Sequence, residues 1–385
     1  MTVVLLGPRP SRHLQLALSG FDLTHVNTLD PSYSVRSFRP VNLRAVVRHG
    51  RSVASLIETI RAKQPSVVVM MERDDTRNIL PILFRSLPHT RFISVQSAWF
   101  FESAHLHLWW PGERASLRIL TWGQYMIDLA AKQGRDMRGR HAVGSLESAL
   151  FASCFEPVAP RDKASRICLV VKRKFGSVGS RENQQSRERR NNVERLVRTV
   201  FQYCEQRRLE AVIPQDLRRD DSEREGDIQW LTELGVSSRI RFATEVDRLT
   251  SVSPKWLEPM YEFDSPSAQE FSALSCAATS ALVTGTQNSA VIWQSIALGF
   301  PTLSVGYGQH PFFTFPISGS WSLHDPSVEE FALRADTLIA SGHGPTDNLS
   351  GGSIRYLINQ SPVDLPIQFL RQSVAAAIEN KAWSN

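Results

Sequence analysis

The sequence predicts an α/β protein of two Rossmann-like domains facing a cleft, with a C-terminal helix. Three observations predict it. Short apolar runs alternate with helical patterns along the chain, the mark of a parallel sheet with helices on both faces. The alternation breaks at the polar, proline-bearing stretch 155–165 ("FEPVAPRDKAS") and then restarts. The chain has 385 residues, more than one ordinary core holds. The expected domains are 1–155, 156–365 and a terminal amphipathic helix over 366–385.

In the first half, Thr2–Leu6 reads as a strand, 11–19 as a short helix and Leu23–Val26 as a second strand. Gly50–Lys63 carries Val53, Leu56, Ile57 and Ile60 at helical spacing. Val67–Met71 is a buried strand, 76–86 a helix and Arg91–Val95 a strand. "LRILTWG" (117–123) is a strand, "QYMIDLAAKQG" a helix ending at Gly134, and "HAVGS" (141–145) a short strand. In the second half, strands are expected at 167–171, 210–214 and 240–244, with helices at 190–208, 226–234 and 266–278. Residues 176–190 are the closest to a disordered tract. The stretch "SALVTGTQNSAVIWQSIALGFPTLSVGYG" (280–308) is strand, polar turn, helix, turn, strand. The tail 366–382 is one helix, with Pro366 suited to its first turn.

The composition is globular, 42% hydrophobic and 21% charged. No apolar run approaches the ~18 residues of a membrane span, and the start lacks a basic leader. The expected location is the cytoplasm, at most peripheral on the inner face of the membrane. Cys154, Cys168, Cys204 and Cys276 show no CxxC spacing and read as reduced core residues. The net charge is +6, and its excess is local: residues 161–198 are dense in Arg and Lys. Such a cluster suits a phosphate-bearing ligand, an anionic membrane surface or nucleic acid; a solvated face is the plain alternative.

In open α/β sheets, ligands sit outside the carboxyl ends of the strands. Five strand ends carry candidate chemistry. In "TGTQNS", Gly285, Thr286, Gln287, Asn288 and Ser289 join a strand to a helix N-terminus, where a phosphate fits, although Ser and Asn also cap helices without a ligand. Lys172, Arg173 and Lys174 follow the first strand of the second half, a basic turn or a solvated loop. Glu72 and Asp74 follow the strand at 67–71 and are the first candidates for a base; Asp74 or Asp75 as a helix cap is the alternative. His105 and His107 are further candidates for that base; a metal site is the other reading, for which an i, i+2 pair in a loop is a weak signal. Tyr307 and His310 follow a strand in "GYGQHPFFTF", at a donor or in a structural turn.

The stretch "TGTQNSAVIWQSIALGFP" resembles the donor-nucleotide motif of GT-B glycosyltransferases, a small polar turn followed by an acidic residue five before "GxP". The residue that holds the ribose in that family falls on Gln294, a Gln in place of Glu. The resemblance implies that the basic turn 172–174 serves the donor phosphates. "VQSAW" is similar to the "vQHG" strand end of bacterial capsule and surface-carbohydrate biosynthesis proteins; Gln96 matches, and Ser97-Ala98 replace His-Gly. Gln96 and Trp99 are thereby implied on the acceptor side, with core packing the other reading for the aromatic cluster. Trp122-Gly123, Gly134 and Val143-Gly144-Ser145 match a "strand-WG-helix-xxG-strand-vGs" unit of the same proteins. The resemblance implies metal-independent transfer from a nucleotide sugar, a substrate rather than a cofactor, to a glycan or lipid-linked acceptor. A nucleotide-sugar 2-epimerase on the same fold and a nucleic-acid-binding regulatory protein are the competing readings.

Overall fold

The computed structural model describes residues 2–7, 11–27, 43–71, 80–96, 117–132, 134, 138–153, 165–171, 184–214, 221–243, 273–286, 289–308, 319, 321–344, 356–359 and 364–379. The chain divides into two compact units, Met1–Leu150 with Arg355–Asn385, and Phe151–Ile354.

The first unit runs β1 (Val3–Gly7), α1 (Arg12–Ala17), β2 (Leu23–Asn27), α2 (Leu43–Ala62), β3 (Val67–Met71), α3 (Leu80–Ser86), β4 (Arg91–Val95), β5 (Leu117–Thr121), α4 (Gln124–Lys132) and β6 (Arg140–Ala142). Helix α5 (Leu146–Ala152) leads out of it. Its six strands are all parallel, in the order β2-β1-β3-β4-β5-β6. A parallel sheet is covered on both faces, so its strands are apolar throughout rather than alternating. The sequences VVLLG and VVVMM are of that kind, and every residue in both is buried.

The second unit runs β7 (Arg166–Val170), α6 (Gln184–Arg207), β8 (Glu210–Ile213), α7 (Asp221–Glu233), β9 (Ile240–Phe242), helix α8 (273–278), β10 (Leu282–Thr286), α9 (Ala290–Ala297), β11 (Thr302–Gly306), β12 (Ser322–His324) and α10 (Val328–Ser341). Its six strands are again parallel, ordered β12-β11-β10-β7-β8-β9. Alternate residues of the central strands, among them Ile167, Leu169, Leu282, Leu303 and Val305, pack against Val193, Leu196, Val197 and Val200 of α6 and Phe331 and Ala335 of α10. Among the described residues no helix is long and apolar enough to cross a membrane.

Several elements differ from the sequence expectation. Helix α2 begins at Leu43, so Gly50 lies inside it rather than at its start. Helix α6 begins at Gln184, inside the tract expected to be least ordered. Strand β10 reaches Thr286, which makes half of the expected polar turn part of the sheet. Strand β12 and helix α10 were not foreseen at all. Helix α10 nevertheless carries a sequence signal: the hydroxyl of Ser327 accepts from Glu330 N and the Glu330 carboxylate accepts from Ser327 N, the reciprocal cap that S-x-x-E encodes.

The terminal helix α11 (Leu365–Ile378) belongs to the first unit. Arginines on the sheet and on the helix tie it down through carbonyl and hydroxyl oxygens. Arg91 donates to Ala376 O at 3.0 Å, Arg118 to Ser373 Oγ at 2.7 Å, and Arg371 to Ala17 O and Ser19 O at 3.1 and 3.0 Å. The returning chain comes so near that a Cβ on Gly123 would stand 2.2 Å from Leu357 O. Asn359 donates to Trp122 O at 2.7 Å through its backbone and to Ala142 O at 3.1 Å through its amide. The "WG" and "vGS" elements thus seat the C-terminal return.

His141 lies beside Phe369 of α11, ring centroids 4.6 Å apart. Burial, assisted by the Arg118 charge, pushes its pKa down to about 4. The unfolded chain takes up this proton near pH 6.5, while the folded chain resists until about 4. Stability present above pH 6.5 is therefore lost as the pH falls toward 4. Because the ring is only half-buried, the loss is about 1–2 kcal/mol. Urea unfolding at pH 7 and pH 5 should show this slope in the wild type and its removal in His141→Gln. An equal slope in both proteins would contradict the assignment.

Candidate functional site

In each sheet the order of strands reverses once. In the second unit β8 and β9 lie to one side of β7, while β10, β11 and β12 lie to the other. The crevice outside the carboxyl ends of β7 and β10 is therefore the switch point, where such sheets take ligands. Val170 and Gly285 are paired in register at those ends. A Cβ on Gly285 would stand 2.4 Å from Val170 O and 2.9 Å from Val170 Cβ, so only glycine lets the two strand ends approach. In the first unit the reversal falls between β1 and β3. Strand β3 ends at Met71, and Glu72 is the next residue in sequence.

The β10–α9 turn has the chemistry of an anion site. Ser289 is the N-cap of α9, in extended backbone (φ −85°, ψ 127°), and its side chain makes no capping bond. The first N–H groups of a helix have no i−4 acceptor, although that of Ile292 donates to Ser289 O at 3.2 Å, and the helix dipole adds partial positive charge there. Thr284 does not contribute its hydroxyl, because it is fully buried and donates to Leu303 O at 2.9 Å. Thr286 and Ser289 are also buried, at the last position of β10 and the cap of α9.

Of the sixteen residues expected at a site, six are described: Gln96, Gly285, Thr286, Ser289, Gln294 and Tyr307. Gly285, Thr286 and Ser289 come together at the switch point. Glu72, Asp74, Trp99, His105, Lys172, Arg173, Lys174, Gln287, Asn288 and His310 lie outside the described residues.

Three further expected residues are buried. Gln96 was assigned to the acceptor side, yet it is wholly buried and joins two strand ends. Its side-chain oxygen accepts from Trp122 N at 2.8 Å, and its backbone oxygen accepts from the Trp122 indole at 3.0 Å. Removing that side chain by Gln96→Ala should cost about 1–3 kcal/mol, by leaving a buried N–H without its acceptor. A melting curve should fall accordingly, while any nucleotide-induced shift stays as in wild type. An unchanged melt would return Gln96 to the list of ligand residues.

Tyr307, expected at the donor, is part of the core. Its hydroxyl is 2.7 Å from Thr199 Oγ1, and the Arg195 guanidinium lies over its ring, 4.3 Å from the centroid. Gln294, expected at the ribose, is enclosed completely, amide oxygen and nitrogen included. All of α9 from Val291 to Ala297 is buried, so the helix has no open face for Gln294 to present.

Sequence reasoning missed Asp325, which follows β12 at the same carboxyl edge. Its φ of 46° is a left-handed conformation that a non-glycine residue rarely holds. Its carboxylate accepts from Gly308 N at 3.2 and 3.3 Å and pairs with Arg195 at 3.1 Å. It thereby fixes the start of the chain that leaves β11. With β12 itself unread, no sequence signal pointed to Asp325. Among the described residues no group of three or more His, Cys, Asp or Glu is placed to hold a metal ion.

No protein-family model matches the chain, and no curated protein matches its sequence. Solved structures do overlap it. UDP-N-acetylglucosamine 2-epimerase from Rickettsia bellii aligns at a TM-score of 0.56 with 9% identity, over 98% of this chain and 97% of that one. UDP-GlcNAc 2-epimerase from Methanocaldococcus jannaschii, solved with UDP-GlcNAc and UDP, aligns at 0.53 with 10% identity, over 97% and 100%. The lipopolysaccharide outer core galactosyltransferase WaaB aligns at 0.48 with 11% identity, over 99% of both chains. At such identities the first two overlaps show the fold. The chain has the GT-B type of fold, two parallel α/β units of the kind found in nucleotide-sugar enzymes.

Proposed function

We propose that the protein is a glycosyltransferase, moving a sugar from a nucleotide-sugar donor to a glycan or lipid-linked acceptor in bacterial surface polysaccharide biosynthesis. The observation that carries this reading is the pairing of Val170 with Gly285 at the switch point of the second sheet. In sequence, Val170 is followed closely by the basic run 172–174 and Gly285 by the polar turn 287–289. A donor diphosphate there meets the first N–H groups of α9 and the cationic side chains of Lys172, Arg173 and Lys174. Negative charge grows on the leaving phosphate as its bond to the anomeric carbon breaks, and these groups stabilise it. The acceptor oxygen forms the new bond to that carbon, and its proton passes to a base. Glu72, next in sequence after the switch-point strand of the first unit, is the first candidate, with Asp74 and His105 as alternatives. The reaction is read as needing no metal and no cofactor, on the cytoplasmic side of the membrane.

The experiment is a thermal-shift titration with UDP, GDP, CMP and their sugars. At least one of them should raise the melting temperature. If none does so for a protein with a single cooperative melt, the reading fails.

A second reading is favoured by the overlaps above a TM-score of 0.5 with UDP-GlcNAc 2-epimerases. A 2-epimerase turns over the nucleotide sugar alone. Incubation with a UDP-N-acetylhexosamine and no acceptor separates the two readings, because only the epimerase yields the epimeric sugar nucleotide.

A further inference from the structure

We propose that His324, oriented by Asp325, reads a hydroxyl group of the sugar on a nucleotide-sugar ligand. The inference rests on the nucleotide-sugar reading of the switch point, and it holds for a transferase and an epimerase alike. His324 is the last residue of β12, at the carboxyl edge of the second sheet. Strand register places it on the same face as the switch-point glycine. Gly285 of β10 pairs with Ser304 of β11, and Ser304 pairs with Ser322 of β12. Residues paired in this way share a face, and His324 lies two residues beyond Ser322 on that same face. Helix α9 covers it, since a Cβ on Gly285 would stand 3.1 Å from Ile292 Cδ1. The N-terminus of α9 and His324 therefore share one face and one edge. Neighbouring strands lie about 4.8 Å apart, so β12 is about 10 Å from β10. A diphosphate held at the start of α9 carries its sugar across a gap of that size.

The imidazole is presented rather than packed away. Its side chain is 45% exposed, and that of Asp325 is 38% exposed. Nε2 stands 3.3 Å from Asp325 Oδ2, and among the described residues no group bonds Nδ1. The carboxylate is itself held in place. Gly308 N donates to its two oxygens at 3.2 and 3.3 Å, and Arg195 pairs with Oδ1 at 3.1 Å. A fixed carboxylate beside Nε2 favours the tautomer with its proton there and leaves Nδ1 as an acceptor for a hydroxyl. Asp325 holds this arrangement at φ 46°, where glycine would serve a plain turn with less strain. Arg195 and Asp325 make a charge-balanced pair, so the surroundings of the imidazole draw no anion. A neutral sugar hydroxyl fits this group better than a phosphate does.

The test is calorimetric titration of UDP, GDP and their hexose and N-acetylhexosamine conjugates into the full chain and three variants. His324→Ala should weaken binding of the nucleotide sugar about fivefold, as loss of one hydrogen bond between neutral groups does, and leave the parent nucleotide unaffected. His324→Gln, whose side-chain oxygen can accept from the same hydroxyl, should restore most of that loss. Asparagine tolerates the left-handed backbone, but its amide donates to Nε2 and moves the imidazole proton to Nδ1. Asp325→Asn should therefore weaken the nucleotide sugar as His324→Ala does, again without effect on the nucleotide. A His324→Ala protein that keeps the wild-type ratio of nucleotide-sugar to nucleotide affinity overturns the proposal. Equal losses in the alanine and glutamine variants overturn the acceptor role, and an Asp325→Asn protein that binds like wild type overturns the role of Asp325. Loss of affinity for the nucleotide itself assigns His324 to the diphosphate and overturns the sugar assignment. These outcomes leave the nucleotide-sugar reading standing, whereas a wild type that binds none of the compounds defeats that reading and the proposal with it.

Discussion

Gly285→Ala should unfold at a markedly lower temperature than the wild type and lose its response to nucleotides. The added methyl would stand 2.4 Å from Val170 O and 3.1 Å from Ile292 Cδ1. The isoleucine can turn aside, whereas the carbonyl oxygen belongs to the neighbouring strand and moves only if β7 moves. Overpacking of this kind costs about 3 kcal/mol, or roughly 6–12 °C for a unit of this size. The separation of β7 from β10 would open the switch point itself, so nucleotide affinity should fall together with stability. Gly299→Ala is the control. Gly299 has φ +73° with nothing within 4 Å of a Cβ, so alanine there meets only backbone strain, about 1 kcal/mol. It should leave the nucleotide response intact. A Gly285→Ala protein that melts within a degree of wild type would show that the two strand ends are not held as close as described.

Most of the architecture was legible because parallel strands have one requirement, burial on both faces, and write it as unbroken apolar runs. Eleven of the twelve strands were expected, the central ones from such runs, and β12 escaped because Ser322-Leu323-His324 is short and half-exposed at the edge of its sheet. Strand order was not legible. Nothing in "VVKRK" or "VTGTQ" states that they are neighbours, since their pairing joins residues far apart in sequence. The end of β10 and the cap of α9 at Ser289 were legible because helix termini have a local chemistry of small and polar residues. Tyr307 was not decided by sequence, because a polar aromatic residue at a strand end looks the same whether it faces a ligand or a partner such as Thr199. The same holds for Gln96. Its side chain satisfies Trp122, twenty-six residues away, and a motif alone does not say which way an amide points.

Gln294→Glu decides how far the resemblance to a ribose-binding position extends. A glutamate there restores the residue that the GT-B motif carries, but in this chain it places a carboxyl where the Gln294 amide is wholly enclosed. Burial disfavours the charged form, so the folded-state pKa of the new glutamate is raised above its unfolded value near 4.3. The sign follows directly. Below about pH 4.3 the carboxyl is protonated in both states and the variant stays close to wild type. As the pH rises through the folded-state value, the unfolded chain ionises first and the variant loses stability. At pH 8 the deficit should reach about 3 kcal/mol or more, read as the difference between the two proteins in urea unfolding. Gln294→Ala should instead show a deficit that does not change with pH, because it adds no titrating group. If the glutamate variant is as stable as wild type at pH 8 and binds a nucleotide more tightly, the position opens to the ribose when ligand is present. A pH-dependent loss without gain in affinity makes Gln294 a core residue of α9, and leaves nucleotide recognition to the strand ends at Val170 and Gly285.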